Sequence, residues 1–205
     1  MTTRTITRRI NPLMLRQRLR ADGALFGAYR CWTAAAGWSS LPRREDLAML
    51  EQPPLRDWIG LADAQPARGQ FRYRFLGSEL LRAGPWVSAG GLVGDAGDLS
   101  PFAALDRAAF LEAAFQDRIV FSRRQLAGPA GQTLRFDRLV LPLRDDAMGC
   151  ATVLFAHDCG CWADPQGGSA AEPLPPQVAE GSRIVEVERL ALSTMDPAHE
   201  YLSPG

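Results

Sequence analysis

The string "CATVLFAHDCGCW", residues 150–162, gathers the side chains most able to do chemistry: Cys150, His157, Cys159 and Cys161. Thiolate sulfur and imidazole nitrogen are the ligands that zinc prefers, and a histidine can also hold haem iron. The spacing matches no zinc pattern, because there is no C-x-x-C and no second ligand pair. Cys150 falls in an apolar run that reads as a strand, so its side chain points into packing. Cys159 and Cys161 then read as loop thiols at the end of that strand, with His157 a structural histidine beside them. No metal site is expected. Two alternatives stay open: a metal- or haem-binding protein using His157 and the nearby cysteines, and a small hydrolase or thiol enzyme using Cys159 or Cys161.

Other catalytic constellations are missing from the sequence. His199 lies near the end of the chain, and Asp145 and Asp146 are neighbours in a turn, where they point apart. "GGLVGDAG", residues 90–97, is glycine-rich without being a dinucleotide fingerprint. There is no nucleophile elbow, phosphate-binding loop or H-E-x-x-H. With two histidines and no convergent triad, the chain reads as a non-enzyme. Its cofactor, if it has one, is not named by any motif. Arg44 and Asp46 admit two readings, an arginine gripping an anionic ligand or a pair that ties chain segments together, and the second is the ordinary role of such pairs.

These residues sit in a chain of 205, enough for one domain with tails, and the 46% hydrophobic content supports a packed core. The 23 basic residues are all arginine, balanced by 23 acids, so the overall charge gives no reason to expect nucleic-acid binding. Six arginines, from Arg4 to Arg20, precede the first acid, Asp22, and residues 1–21 read as a basic arm. No apolar run follows them that would make a secretory signal, and none is long enough to span a bilayer. A cytoplasmic protein with reduced cysteines is the expectation.

Alternation and punctuation then place the elements. A helix is predicted from Asp22 to Ala36, with Leu25, Ala28, Tyr29, Trp32 and Ala36 on one stripe and Gly37 as its stop. A short helix follows near Asp46–Glu51. "WIGLADA", 58–64, and "FRYRFL", 71–76, read as a hairpin. In the second strand Phe71, Tyr73 and Phe75 alternate with Arg72 and Arg74, so the aromatics face a core. Gly77 breaks the strand and Ser78–Ala83 forms a short helix. Residues 101–118 give the clearest helix, with Ser100 as cap and Pro101 in its first turn. Strands are predicted at 119–127, 132–143 and 147–156. A Gly/Pro-rich linker fills 163–182, and 182–192 fits either a last strand or a short helix. The organisation is a basic arm (1–21), a domain (22–160) and a linker with a tail (161–205). Two strands, a helical crossing and three strands make an α+β domain with a cavity between sheet and helices.

The ordered motifs resemble a PAS domain, in particular the bacterial PAS-like proteins sometimes called the PAS_5 family. Trp32 ends "YRCW"; Pro42, Arg44 and Asp46 give P-x-R-x-D; Arg74 and Gly77 give R-x-x-G; and Leu141, Pro142 and Leu143 give L-P-L. The likeness covers about residues 24–157, with departures at Cys31, Ala36, Gly37 and Ala147. The resemblance implies a five-stranded antiparallel sheet with helices on one face and an N-terminal amphipathic helix. It implies a sensory or protein-interaction module that binds a small ligand and signals by docking a partner. Phe71, Tyr73, Phe75, Leu80, Phe110 and Phe136 are the candidate pocket residues. Because the N-terminal helix carries one apolar stripe, a homodimer through that helix is expected, with Arg72 and Arg74 stacked on Tyr29 or Trp32.

Overall fold

Strands of period two and two helical layers organise the chain, here as a computed structural model that describes residues 4–20, 23–36, 41–47, 53, 55–65, 69–83, 90–93, 101–127, 133–144, 151–159 and 183–193. The strands are β1 (Arg4–Arg9), β2 (Ile59–Gln65), β3 (Gln70–Leu76), β4 (Arg118–Ala127), β5 (Thr133–Leu143), β6 (Thr152–Cys159) and β7 (Arg183–Ser193). The helices are α1 (Pro12–Arg18), α2 (Ala24–Ala36), α3 (Ser78–Ala83) and α4 (Pro101–Gln116), with 3-10 turns at Arg44–Asp46 and Leu55–Trp58. Asp22, Gly37, Asp145, Asp146, Cys150, Cys161, His199 and the 163–182 linker lie outside the described residues.

The strands form one sheet in the order β1-β7-β4-β5-β6-β2-β3. All neighbours are antiparallel except β1 and β7, which run parallel. The α+β class and the antiparallel core of β2 to β6 match the expectation, and the sheet is wider than expected. The stretch read as a basic arm contributes β1 and α1, and the ambiguous 182–192 stretch is β7. Asn11 caps α1, its Oδ1 accepting from the Met14 backbone N–H at 2.9 Å, and Pro12 opens the helix.

Helices cover both faces of the sheet, not one. Along β6, Leu154 and Ala156 join the cluster built with Leu15, Leu25, Tyr29 and Trp32 of α1 and α2. Val153 and Phe155, of opposite parity, join the cluster with Leu80, Ala109, Phe110 and Ala113 of α3 and α4. β5 divides in the same way, Leu139, Leu141 and Leu143 on the α2 side and Val140 on the α4 side. The α2 stripe is therefore buried against its own sheet. Trp32 donates its indole N–H to the Pro142 carbonyl at 2.7 Å, which joins two of the sequence motifs. Pro142 fits because β4 pairs with β5 only as far as Val140, so the missing N–H costs no ladder bond on that side.

A bulge in β3 changes the aromatic pattern. Leu61 pairs with Phe75 but Ala62 pairs with Tyr73, so Arg74 is the extra residue. Phe71 and Tyr73 face α4, whereas Phe75 is turned to the opposite face, packs toward the α2 core and lies under the Arg56 guanidinium at 5.2 Å. Arg74 reaches Asp63 at 3.2 Å and Arg72 is exposed, so neither stacks on Tyr29 or Trp32 as expected. The outer edge of β3 is covered by residues 90–93 through backbone bonds from Gly90, Val93 and, in return, Tyr73.

Gly77 is required for space and not for backbone freedom. Positive φ occurs at Gly69 and Gly90 among the described glycines. A Cβ at Gly77 would lie 2.3 Å from the carbonyl oxygens of Arg56 and Asp57. The Gly77 N–H donates to the Ile59 carbonyl at 2.9 Å, and this close approach is what turns β3 into α3.

Candidate functional site: a buried arginine pair under α4

Arg124 of β4 and Arg138 of β5 are 1% and 0% exposed, although charged side chains are almost never fully buried without full pairing. Their strands force this. Arg138 pairs in register with Ser122 and His157, and Arg124 with Phe136, so both arginines share the parity that faces α4. α4 lays Asp106, 2% exposed, over them. Arg124 Nη2 is 2.7 Å from Asp106 Oδ1, and Arg138 Nη1 contacts Asp106 Oδ2.

The walls are aromatic. The Arg138 guanidinium lies 5.4–5.9 Å from the ring centres of Phe155, Phe136 and Phe110, and Arg124 lies 5.8 Å from Phe136. Phe110 packs edge-on to Phe71 at 5.4 Å and stands 5.2 Å from Phe155. His157 meets Phe136 edge-on at 4.7 Å.

The charges do not balance. Guanidinium stays protonated in proteins, so among the described residues two fixed positive charges face one carboxylate. His157, 1% exposed, adds no negative charge; burial first, and then Arg138 and Arg124, hold its pKa well below the usual 6.5, so the ring is neutral. Burial also pulls Arg124 below the ordinary arginine value, with Asp106 opposing. Hydrogen bonds are short as well. Among the described residues, Arg124 Nε and Nη1, Arg138 Nε, Nη1 and Nη2, and both nitrogens of His157 have no aligned hydrogen-bond partner. The contacts to Asp106 are ion pairs by distance, but Asp106 Oδ1 and Arg138 Nη1 are not aligned as hydrogen bonds. Buried polar groups are normally bonded, so each orphan calls for an explanation.

A second carboxylate on α4 fixes the helix. Glu112 contacts Arg118 of β4 at 3.0 Å and Arg189 of β7, whose Nη2 also donates to the Ala108 carbonyl at 3.2 Å. α4 thus sets Asp106 and Glu112 onto arginines of three strands. Asp117, at φ 49°, turns α4 directly into β4 and fixes where Asp106 falls relative to Arg124.

Of the residues singled out in the sequence, Phe71, Tyr73, Leu80, Phe110 and Phe136 lie on the α4 side, and Phe75 does not. His157 lies within β6 and not at its end, because the strand runs later than expected, through Cys159. Trp32, Leu141, Pro142 and Leu143 belong to the opposite core. Pro42 is buried and its carbonyl accepts from the Arg144 N–H at 2.9 Å. Asp46 accepts from the Arg43 backbone N–H at 2.8 Å while Arg44 is exposed, so the P-x-R-x-D stretch shapes a turn. Among the described residues no cluster of three or more His, Cys, Asp or Glu could hold a metal. Cys31 is a buried free thiol whose pKa burial pushes up, the opposite of what a nucleophile needs.

Arg124, Arg138 and Asp106 went unnoticed in the sequence. The signal lies in "RLVLPL", residues 138–143: from Arg138 onward both parities of β5 are apolar, so an arginine that opens this run sits at the edge of a strand buried on both faces. A recess of about 410 Å³ opens between α2, the 55–58 turn and the end of β6, lined by Arg20, Gly23, Gly27, Leu55, Trp58, Asp158 and also His157. It does not include the arginine pair. No protein-family model, curated protein or solved structure matches the chain.

Proposed function

We propose that the chain is a PAS-like sensory or protein-interaction module that holds a small ligand between its sheet and α4 and signals by docking a partner. The topology is compatible with this reading: a hairpin, a helical crossing and three antiparallel strands, with a helix before the first of them covering the outer face. The observation that carries the reading is the buried Arg124–Arg138–Asp106 group. It lies where a PAS-like domain would keep its ligand, and among the described residues it leaves buried donors without an aligned partner, which polar cores normally avoid. A core kept only for stability would use apolar residues there.

The metal or haem alternative has less support. His157 packs against Phe136 and Phe155 with Arg138 as its cross-strand partner, and that positive charge opposes a further cation. The homodimer and an unidentified signalling partner remain part of the proposal, without help from α2, whose stripe is covered by its own sheet. The cytoplasm is the location the reading gives it, and no described helix is long and apolar enough to cross a membrane. Native mass spectrometry of the gently purified protein tests the reading. A stoichiometric small molecule that leaves on denaturation is expected. A protein that carries none, and that no member of a metabolite panel stabilises, would overturn it.

A further inference from the structure

We infer that Arg124 and Arg138 bind a small organic monoanion, a monocarboxylate with a compact apolar body, and that Asp106 sets the charge the ligand must carry. The inference rests on the ligand-binding reading above and names its ligand class.

Three observations define that class. The first is charge. Two guanidiniums and one carboxylate leave one positive charge enclosed beside a neutral imidazole. One negative charge brings the group to neutrality, whereas a dianion would leave an uncompensated negative charge in a site that burial makes intolerant of it. The second is hydrogen bonding. The unpartnered donors include Nε of both arginines, with Nη1 of Arg124 and Nη2 of Arg138. A guanidinium presents such donors as a planar fork that matches the two oxygens of a carboxylate. The third is the lining. Phe110, Phe136 and Phe155 surround Arg138, so an apolar ligand body would meet aromatic rings there. Neutral His157, with both ring nitrogens unpartnered, is placed to donate or accept one further hydrogen bond.

The donors are closed to solvent in the chain as it stands. Entry therefore requires side chains to part, and association should be slower than ordinary encounter.

The experiment uses the full chain in a buffer free of small carboxylates, with ionic strength held constant. Thermal unfolding is followed against acetate, butyrate, benzoate, malonate and inorganic phosphate. Saturable stabilisation by a monocarboxylate is expected, with the folding constant raised about a hundredfold when the ligand stands at a hundred times its Kd. Malonate and phosphate are expected to do no more than added salt. Arg138→Met and Arg124→Met should each abolish the response, while Arg74→Met, on the exposed side of β3, should keep it. If the arginine variants do not fold, the wild-type anion series decides by itself, since a monocarboxylate must stabilise where malonate and phosphate do not; Asp106→Asn, used at a temperature where circular dichroism shows it folded, should shift preference toward malonate. Equal stabilisation of wild type by every anion, a response that survives Arg138→Met, or an unshifted preference in Asp106→Asn would overturn the inference. A co-purified neutral compound with no anion response would sink the monoanion alone and leave the sensory reading standing; no ligand of any kind would sink both.

Discussion

Replacing Asp106 by Asn isolates the electrostatics of the core with little change in shape. Asp106 is 2% exposed and lies within ion-pair distance of two buried guanidiniums, 2.7 Å from the nearer atom of Arg124. A unit charge pair about 4 Å apart at an effective dielectric of about 20 attracts by about 4 kcal/mol, so the gross loss over two arginines is about 8 kcal/mol. Part of this returns, because the variant no longer buries a carboxylate. Removing one partner from a buried ion pair costs about 3–5 kcal/mol net, and that is the expected loss. Against a total stability of about 5–15 kcal/mol, it takes away a large share of what holds the fold. With an m-value of about 2 kcal/mol per molar urea, the unfolding midpoint should fall by about 2 M. Asp63→Asn is the control: its partner Arg74 is partly exposed, so less than about 1 kcal/mol should be lost. The double variant Asp106→Asn with Arg138→Met should recover part of the loss, because it removes one of the two stranded charges. A drop below about 1 kcal/mol for Asp106→Asn alone would refute the claim that the arginines depend on this carboxylate.

Gly77→Ala should destabilise the protein by about 3 kcal/mol, since its Cβ would meet backbone that cannot step aside, and an unchanged melting temperature would contradict the packing at that junction. Trp32→Phe should cost about 1–3 kcal/mol by orphaning the Pro142 carbonyl. Trp32→Glu should unfold the chain, and a folded Trp32→Glu protein by circular dichroism would show that α2 is not part of the monomer core. His157 is neutral when folded but protonates near pH 6.5 when unfolded, so its contribution is intact above that pH and declines as the pH falls below it. Urea midpoints between about pH 5 and 7 should slope less in His157→Gln than in wild type; parallel slopes would show that the ring is accessible to protons.

Elements with one dominant pattern were legible in the sequence. The alternation of "FRYRFL" and the apolar spacing of residues 101–116 placed β3 and α4 to within a residue or two. Parity was legible only where one face is polar. The bulge at Arg74 moves Phe75 to the other side, and no residue type announces it. "SRIVEVERLAL" failed to decide because β7 lies between β1 and β4, and a strand with neighbours on both edges and helices above needs no single polar face. The candidate site was hidden for a related reason. Arg124 and Arg138 sit among twenty-one other arginines, and only the register that brings them under Asp106 marks them out. His157 stands out in the sequence by its chemistry, whereas its surroundings are set by the fold alone.

The parallel pairing of β1 with β7 has a consequence in time. Arg4 lies opposite Glu186, so β1 leaves the ribosome well before the strand that completes it. At about 5–20 residues per second, the roughly 180 residues between them take about 10–40 s to synthesise. Throughout that interval β1 has no partner, and the β4 edge that β7 will occupy is open. An open edge recruits any extended chain within reach. The pairing that completes the sheet is therefore the one most open to error while the chain is being made.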